Sequence, residues 1–371
     1  MFMLFLIQIL TAKYIIQYYE DSQVDADIVI GDFKVSFESN LDKFKYRQLK
    51  TSGDVKRIMK SKNYRKSVVQ KIPPSWGLDR IDARAGKDKL YNYPDSAGYG
   101  TVAYVLDTGI NIDHVDFEGR ASFGFDATGE GDEDLDGHGS HCAGIIGGAT
   151  YGVAKKIQLI SVKVLNKAGE GEDYGIIRGL HFAVRDARIG RYKAVINMSL
   201  GGEYSQILND AVTATIKEGI PVVVAAGNDN IDACTESPGS AELAITVGSV
   251  GKNDRKSSFS SHGHCVDIFA PGEGIKSTYK GNKLATHLLS GTSMAAPHIT
   301  GIAALYLAEG IAPQDVQTKL MEYGTFNAIS DLDEATNNIL AYNQVDMQHD
   351  IPRRRGSRRH RPLPRNPVIP F

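Results

Sequence analysis

The chain has 371 residues, 42 basic and 44 acidic, for a formal charge of −2; 42% of its residues are hydrophobic and 23% charged. These proportions match the roughly 45% apolar and 25% charged residues of soluble globular chains, and they exclude wholesale disorder and a multi-span membrane protein. The length exceeds the roughly 150 residues of one ordinary domain. Charge is uneven: Arg353, Arg354, Arg355, Arg358, Arg359, Arg361 and Arg365 crowd the last 21 residues with no acid among them, so the remaining body is acidic. The 38 glycines show no collagen period, and many tight turns and close backbone approaches are expected.

In chain order, residues 1–12 form a short apolar run, Phe2-Met3-Leu4-Phe5-Leu6-Ile7-Gln8-Ile9-Leu10, ending in small residues. It reads as a secretory signal segment, although the positive start of such segments is missing; the other reading is an ordinary first strand or helix. Residues 13–70 begin with Tyr14-Ile15-Ile16-Gln17-Tyr18-Tyr19 and predict a small α+β unit, with further strands at Asp27-Ile28-Val29-Ile30 or Phe33-Lys34-Val35-Ser36-Phe37. Ile72-Pro73-Pro74-Ser75 then breaks the pattern, because consecutive prolines continue neither a helix nor a central strand.

From Trp76 to about Tyr342, short apolar runs alternate with helix-length segments. Strands are predicted at 101–106, 158–165, 194–199, 221–226 and 244–250, and helices at 138–147, 174–186, 208–218 and 293–309. Near-continuous apolar strands separated by helices predict an α/β fold with a mostly parallel sheet covered on both faces. Ligands of such folds bind beyond the carboxyl ends of the strands. The tail, with five prolines among its arginines, cannot build a core.

Three segments carry chemistry. Val105-Leu106-Asp107-Thr108-Gly109 is an apolar strand ending in a carboxylate and a glycine turn. Asp136-Gly137-His138-Gly139-Ser140-His141-Cys142 sets a histidine between glycines at a helix start, and Ser290-Gly291-Thr292-Ser293-Met294-Ala295 sets a serine at the start of a long apolar helix. A serine hydroxyl needs a base to take its proton, and an imidazole serves best when a carboxylate fixes its tautomer. Singly each motif is weak. His138 with His141 as metal ligands lacks the intervening glutamate of a His-Glu-x-x-His site and a clear third ligand. Asp-Thr-Gly as an aspartic protease lacks a second such motif. Together they point to Asp107, His138 and Ser293 as a catalytic set.

These three motifs resemble the active-site motifs of the subtilisin-like serine proteases. Trp76-Gly77-Leu78-Asp79-Arg80-Ile81, Tyr151-Gly152-Val153-Ala154, Ser199-Leu200-Gly201-Gly202 and Asp267-Ile268-Phe269-Ala270-Pro271-Gly272 resemble the proteinase K branch. The resemblance covers residues 76 to about 342 and implies a three-layer subtilisin-like fold. It implies a serine endopeptidase of broad specificity, made as a self-processed zymogen, with a peptidase domain at 71–345; residues 13–70 more faintly resemble the family's inhibitory propeptide, and composition gives a signal peptide at 1–12 and a disordered basic tail at 346–371. The propeptide is short for that family.

By the same resemblance, Asn228 supplies an oxyanion-hole donor, although Gly227-Asn228 also reads as ordinary turn chemistry. Substrate lies extended between Gly169-Glu170-Gly171 and Ser199-Leu200-Gly201, with Ala225-Ala226-Gly227 walling a pocket roomy enough for large apolar or aromatic side chains. Glu170, followed by Glu172 and Asp173, puts negative charge near one edge; it either favours a basic substrate residue on the acyl side or belongs to a solvated loop. The chain has three cysteines. The resemblance pairs Cys234 with Cys265 and leaves Cys142 as a free thiol beneath His138. It maps a structural Ca²⁺ site onto Asp267 and the backbone carbonyls of Glu242 and Ala244, and catalysis calls for no cofactor. Asn197-Met198-Ser199 meets the glycosylation pattern but ends a predicted buried strand, so no glycan is expected. Expected partners are polypeptide substrates, the chain's own propeptide and, through the arginines, an anionic surface or polysaccharide. A monomer without a transmembrane segment is expected, in the secretory pathway, with an extracellular or vacuolar destination. The competing reading is an inactive relative serving as a binding protein.

Overall fold

The computed structural model describes residues 14–30, 32–60 and 67–343. The signal reading of residues 1–12 and the tail reading of residues 346–371 fall outside the described residues. The chain divides into two compact units, Met1–Lys66 and Ser67–Phe371, four residues ahead of the boundary expected at 70/71.

In the first unit, β1 (Tyr14–Tyr18), β2 (Ile28–Ile30), β3 (Phe33–Glu38) and β4 (Val55–Lys60) form an antiparallel sheet in the order β2-β3-β1-β4. Helix α1 (Lys43–Thr51) connects β3 to β4 and starts at Asp42, whose carboxylate accepts from the Lys45 amide at 2.7 Å. Alternation puts Ile16, Tyr18 and Val35 inside. Both candidate strands at 27–37 form, as the two arms of one hairpin.

The second unit opens with β5 (Ser67–Lys71), paired antiparallel with β6 (Leu90–Pro94) around helix α2 (Trp76–Ile81), which Ser75 caps. Residues 67–70, read from sequence as the end of the front segment, thus pair with a strand of the second unit. The alternating segments follow: β7 (Thr101–Asp107), β8 (Ala121–Asp126), α3 (His138–Gly147), β9 (Gln158–Lys163), α4 (Asp173–Gly190), β10 (Lys193–Met198), β11 (Gly202–Glu203), α5 (Gln206–Lys217), β12 (Val222–Ala225), β13 (Glu236–Ser237) and β14 (Ile245–Val250). Next come β15 (Ile268–Pro271), the hairpin β16 (Ile275–Thr278) and β17 (Thr286–Leu289), α6 (Thr292–Ala308), α7 (Val316–Tyr323), β18 (Thr325–Phe326) and β19 (Ile339–Leu340).

Nine strands make the central sheet in the order β18-β19-β15-β14-β12-β10-β7-β9-β8, parallel except at the β18–β19 end. Period-two alternation sorts their side chains into two layers. Ala103, Val105, Val195 and Val223 face α3 and α6, whereas Val102, Tyr104, Leu106, Ile196 and Val222 face α4 and α5. This is the three-layer α/β arrangement expected. Helix α6 is buried from Met294 to Leu307 on every side, which explains why its sequence is apolar throughout rather than striped. Among the described residues no helix is long and apolar enough to cross a membrane.

Candidate active site

The carboxyl ends of β7, β10 and β12 and the amino ends of α3 and α6 converge. Asp107 ends β7 with no exposed surface, and its Oδ1 accepts from His138 Nδ1 at 2.8 Å and from the Thr108 amide at 2.7 Å. Its Oδ2 is buried without a partner. His138 opens α3 after Gly137, whose φ of 104° is left-handed backbone that glycine adopts freely. Gly139 is needed for another reason: a Cβ there would collide with the Gly109 carbonyl.

One residue the sequence reading passed over holds this corner together. Asp134 is buried; its Oδ1 accepts from Thr108 Oγ1 and the Gly137 amide, and its Oδ2 from the Ser140 amide and hydroxyl. It ties the turn after β7 to the start of α3. The available signal was an Asp three residues before a glycine at a helix start. Lys163 was also missed: wholly buried beside Asp107 in the β7–β9 register, it donates to the carbonyls of Thr108 and Leu165 and pairs with Glu130 at 3.2 Å. A charge inside an apolar strand marks it.

His141, the other half of the weighed metal pair, turns away. Its Nε2 faces the carbonyls of Ile275 and His287, and burial lowers its pKa to about 3, so it stays a neutral donor. His138 differs: burial disfavours its charged form, while the adjacent Asp107 carboxylate, followed by Cys142, favours it, and the imidazole is held well above its ordinary value. Cys142 Sγ lies 4.0 Å from His138 Nδ1, and burial pushes the thiol up, so it stays protonated and adds no charge.

Ser293 sits on the first turn of α6, across the cleft from His138. Pro297, inside that helix, has no amide hydrogen for the carbonyl four residues earlier, which is that of Ser293. The freed carbonyl instead accepts from Ser199 Oγ at 2.9 Å and Cys142 Sγ at 3.3 Å. Behind Ser199, Asn197 Nδ2 donates to Ser199 Oγ and Thr300 Oγ1 donates to Asn197 Oδ1. The glycosylation-pattern Asn197 is therefore fully buried and its amide engaged. Ser293 Oγ donates to the Ser199 carbonyl at 3.3 Å. Asn228 lies three residues past β12. Its Oδ1 accepts from the Thr292 amide at 2.8 Å and from Thr292 Oγ1 at 3.0 Å, which turns its NH₂ group away from Thr292.

A cleft of 780 Å³ runs past His138 and Ser293, lined by Gly169, Glu170 and Gly171 on one side and Ser199, Leu200 and Gly201 on the other. Ala225, Ala226 and Gly227 are not among its lining residues; Ala225 and Ala226 are buried. Glu170 and Glu172 are exposed, and Asp173 Oδ2 accepts from Ser205 Oγ at 2.5 Å. Cys234 and Cys265 form a disulfide with Cα atoms 5.4 Å apart, and Cys142 is free and buried. Asp267 is nearly buried before β15, its Oδ2 accepting from the Thr246 amide, while the Ala244 carbonyl accepts from Gln317 Nε2 at 3.3 Å. Donors that are all oxygen suit a hard cation.

A parallel α/β fold with a carboxylate, an imidazole and a hydroxyl at its strand ends is the architecture of a serine hydrolase. Residues 98–338 match the model of the Subtilase family, Peptidase_S8. "Subtilisin-like protease 2" of Pseudogymnoascus destructans is 47% identical over 272 residues, 72% of this chain and 67% of that protein. "Subtilisin-like serine protease Rho m 2.0101" of Rhodotorula mucilaginosa is 46% identical over 72% of this chain and 85% of its own length, and "Alkaline protease 1" of Aspergillus clavatus is 40% identical over 86% and 80%. The crystal structure of a cold adapted subtilisin-like serine proteinase superposes with a TM-score of 0.69 at 43% identity, covering 73% of this chain and 98% of that one. The chain belongs to the subtilase family and is a serine endopeptidase that acts on polypeptides. Members of this family need no cofactor for catalysis.

Proposed function

We propose that the chain hydrolyses extended polypeptides with broad specificity through Asp107, His138 and Ser293. The observation that carries this is the 2.8 Å contact between His138 Nδ1 and the buried Asp107 carboxylate, with Ser293 facing the same cleft. Asp107 holds the imidazole with its Nε2 lone pair toward the cleft. His138 takes the Ser293 Oγ proton as Oγ adds to the scissile carbonyl, then hands it to the leaving amine. The oxyanion receives hydrogen bonds from Asn228 Nδ2 and the Ser293 amide at the α6 amino end. Water then repeats the sequence and releases the acyl group. Substrate adds as a strand between 169–171 and 199–201, with its first acyl-side residue walled by 225–227.

In the same reading, residues 13–70 are an inhibitory segment removed by self-processing, a role supported by the separate compact unit that ends at Lys66, with residues 67–70 belonging to the second unit. Residues 71–345 are the peptidase and 346–371 a basic tail for anionic surfaces or polysaccharide. The enzyme works as a monomer in the secretory pathway, with an extracellular or vacuolar destination. Asp267 with the carbonyls of Glu242 and Ala244 would hold a structural Ca²⁺, replacing the Gln317 contact. A fluorophosphonate should label the wild-type chain but not Ser293→Ala. Absence of labelling in an active preparation would overturn the assignment, and sequencing the amino termini of both proteins tests self-processing.

A further inference from the structure

Strand β13 lies beside the cleft, which its Ser237 helps to line. It pairs with β11, with Gly202 opposite Ser237 and Glu203 opposite Glu236, so it is joined to the continuation of the 199–201 edge. On its other side Glu236 reaches Gly227: a Cβ added at Gly227 would collide with Glu236 Oε2 and lie 2.9 Å from Ser261 Oγ. A Cβ on Gly239, two residues past β13, would lie 3.6 Å from the carbonyls of Ala225 and Ala226. Segment 236–239 therefore bridges the two backbone edges that flank the first acyl-side residue of the substrate, and it contributes an acid there.

That acid is poorly satisfied. Glu236 Oε2 and Ser261 Oγ are both buried without a hydrogen-bond partner. Buried polar atoms left unpaired are costly and rare in native structures. Among the described residues no ion pair involves Glu236, and exposed Asp229 adds like charge nearby; burial first and Asp229 second raise the Glu236 carboxyl. The missing partner is thus a donor and preferably a cation. Beside it run Ala225, Ala226 and Gly227, of which the two alanines are buried and outside the cleft lining; such small residues suit the apolar stem of a long basic side chain that carries its charge at the tip.

We propose that Glu236 is the specificity-determining residue at the base of the pocket for the first acyl-side residue, where it selects lysine or arginine alongside the apolar side chains the walls admit. This rests on the protease reading above, with substrate lying between edges 199–201 and 225–227.

The test uses the processed enzyme and peptides that differ only at that residue: lysine, ε-acetyl-lysine or phenylalanine. Wild-type kcat/KM should favour lysine over its neutral acetylated form by about tenfold or more, the size expected of one charge-assisted contact. The lysine-to-phenylalanine ratio should fall by about the same factor in Glu236→Gln and in Glu236→Ala. Equal rates for lysine and ε-acetyl-lysine in the wild type, a measurement that needs no variant to fold, would overturn the proposal. So would an unchanged ratio in the variants, or a parallel loss of both substrates. Absence of both fluorophosphonate labelling and turnover of every peptide would instead overturn the protease reading, and this proposal with it.

Discussion

Pro297 and Ser293 are linked by a hydrogen bond that cannot form. The proline leaves the Ser293 carbonyl unclaimed by its own helix, and Ser199 Oγ takes it at 2.9 Å. Ser293, the proposed nucleophile, is thereby held from β10 as well as from α6.

Ser199→Ala should therefore act on both stability and rate. It removes the stronger donor to that carbonyl and leaves Asn197 Nδ2 without its acceptor. A loss of about 1–3 kcal/mol in urea unfolding is expected, with a fall in kcat exceeding any rise in KM. An unfolding midpoint equal to wild type would refute the anchoring role.

In the proposed oxyanion role, Asn228→Ala should lower kcat with little effect on KM, because its NH₂ group would meet charge that exists only in the transition state. The expected cost is about 2.7–4 kcal/mol, or roughly two to three orders of magnitude in rate. Steady-state kinetics showing a KM effect alone would count against it.

With His138 as the proposed base, the acid limb of kcat/KM should lie above the ordinary histidine pKa of 6.5, because the base must be neutral and Asp107 holds its folded pKa high. The sign for stability is the reverse. Charged His138 stabilises the fold fully below 6.5, and that contribution is lost as pH rises through the folded pKa. Asp107→Asn should move the residual acid limb downward. A pH–rate profile that stayed in place would show that the carboxylate does not set it.

An organomercurial should abolish activity by entering between Cys142 Sγ and His138, which are 4.0 Å apart with the thiol fully buried. Cys142→Ala should be insensitive. Intact-mass analysis showing Cys142 fully mercurated in an active enzyme would refute the mechanism.

Excess chelator should shorten the half-life at elevated temperature if Ca²⁺ joins Asp267 to the Glu242 and Ala244 carbonyls. Asp267→Asn should show a smaller chelator effect. Inactivation rates indifferent to chelator would remove the metal from the account.

The strands and helices legible in the sequence were those whose pattern is made by near neighbours. Val102 to Leu106 alternates between two apolar layers, and Met294 to Leu307 is apolar on every face because α6 is enclosed. Less legible were β8, a partly exposed edge strand, and β13 and β18, which have two residues each and take their form from a partner strand. Asp134 escaped notice because it stands among Glu130, Asp132, Glu133 and Asp136, a run of acids that reads as a solvated loop. Its five donors include Thr108, which lies across a 26-residue interval that only folding closes.

By itself the sequence determined the family, the layered α/β plan and the small set of residues capable of the chemistry, since each motif is contiguous and its backbone needs are local. Tertiary structure decided how those motifs meet. The Asp107–His138 contact, the capture of the Ser293 carbonyl by Ser199, the turn of Asn228 by Thr292 and the approach of Glu236 to Gly227 all depend on strand order and register. Those are set by packing between segments far apart in the chain, which no local spacing encodes. Charge shows the same division: the acidic body and arginine-rich end are plain from composition, but only the fold reveals that Glu236 is an acid with an unanswered oxygen.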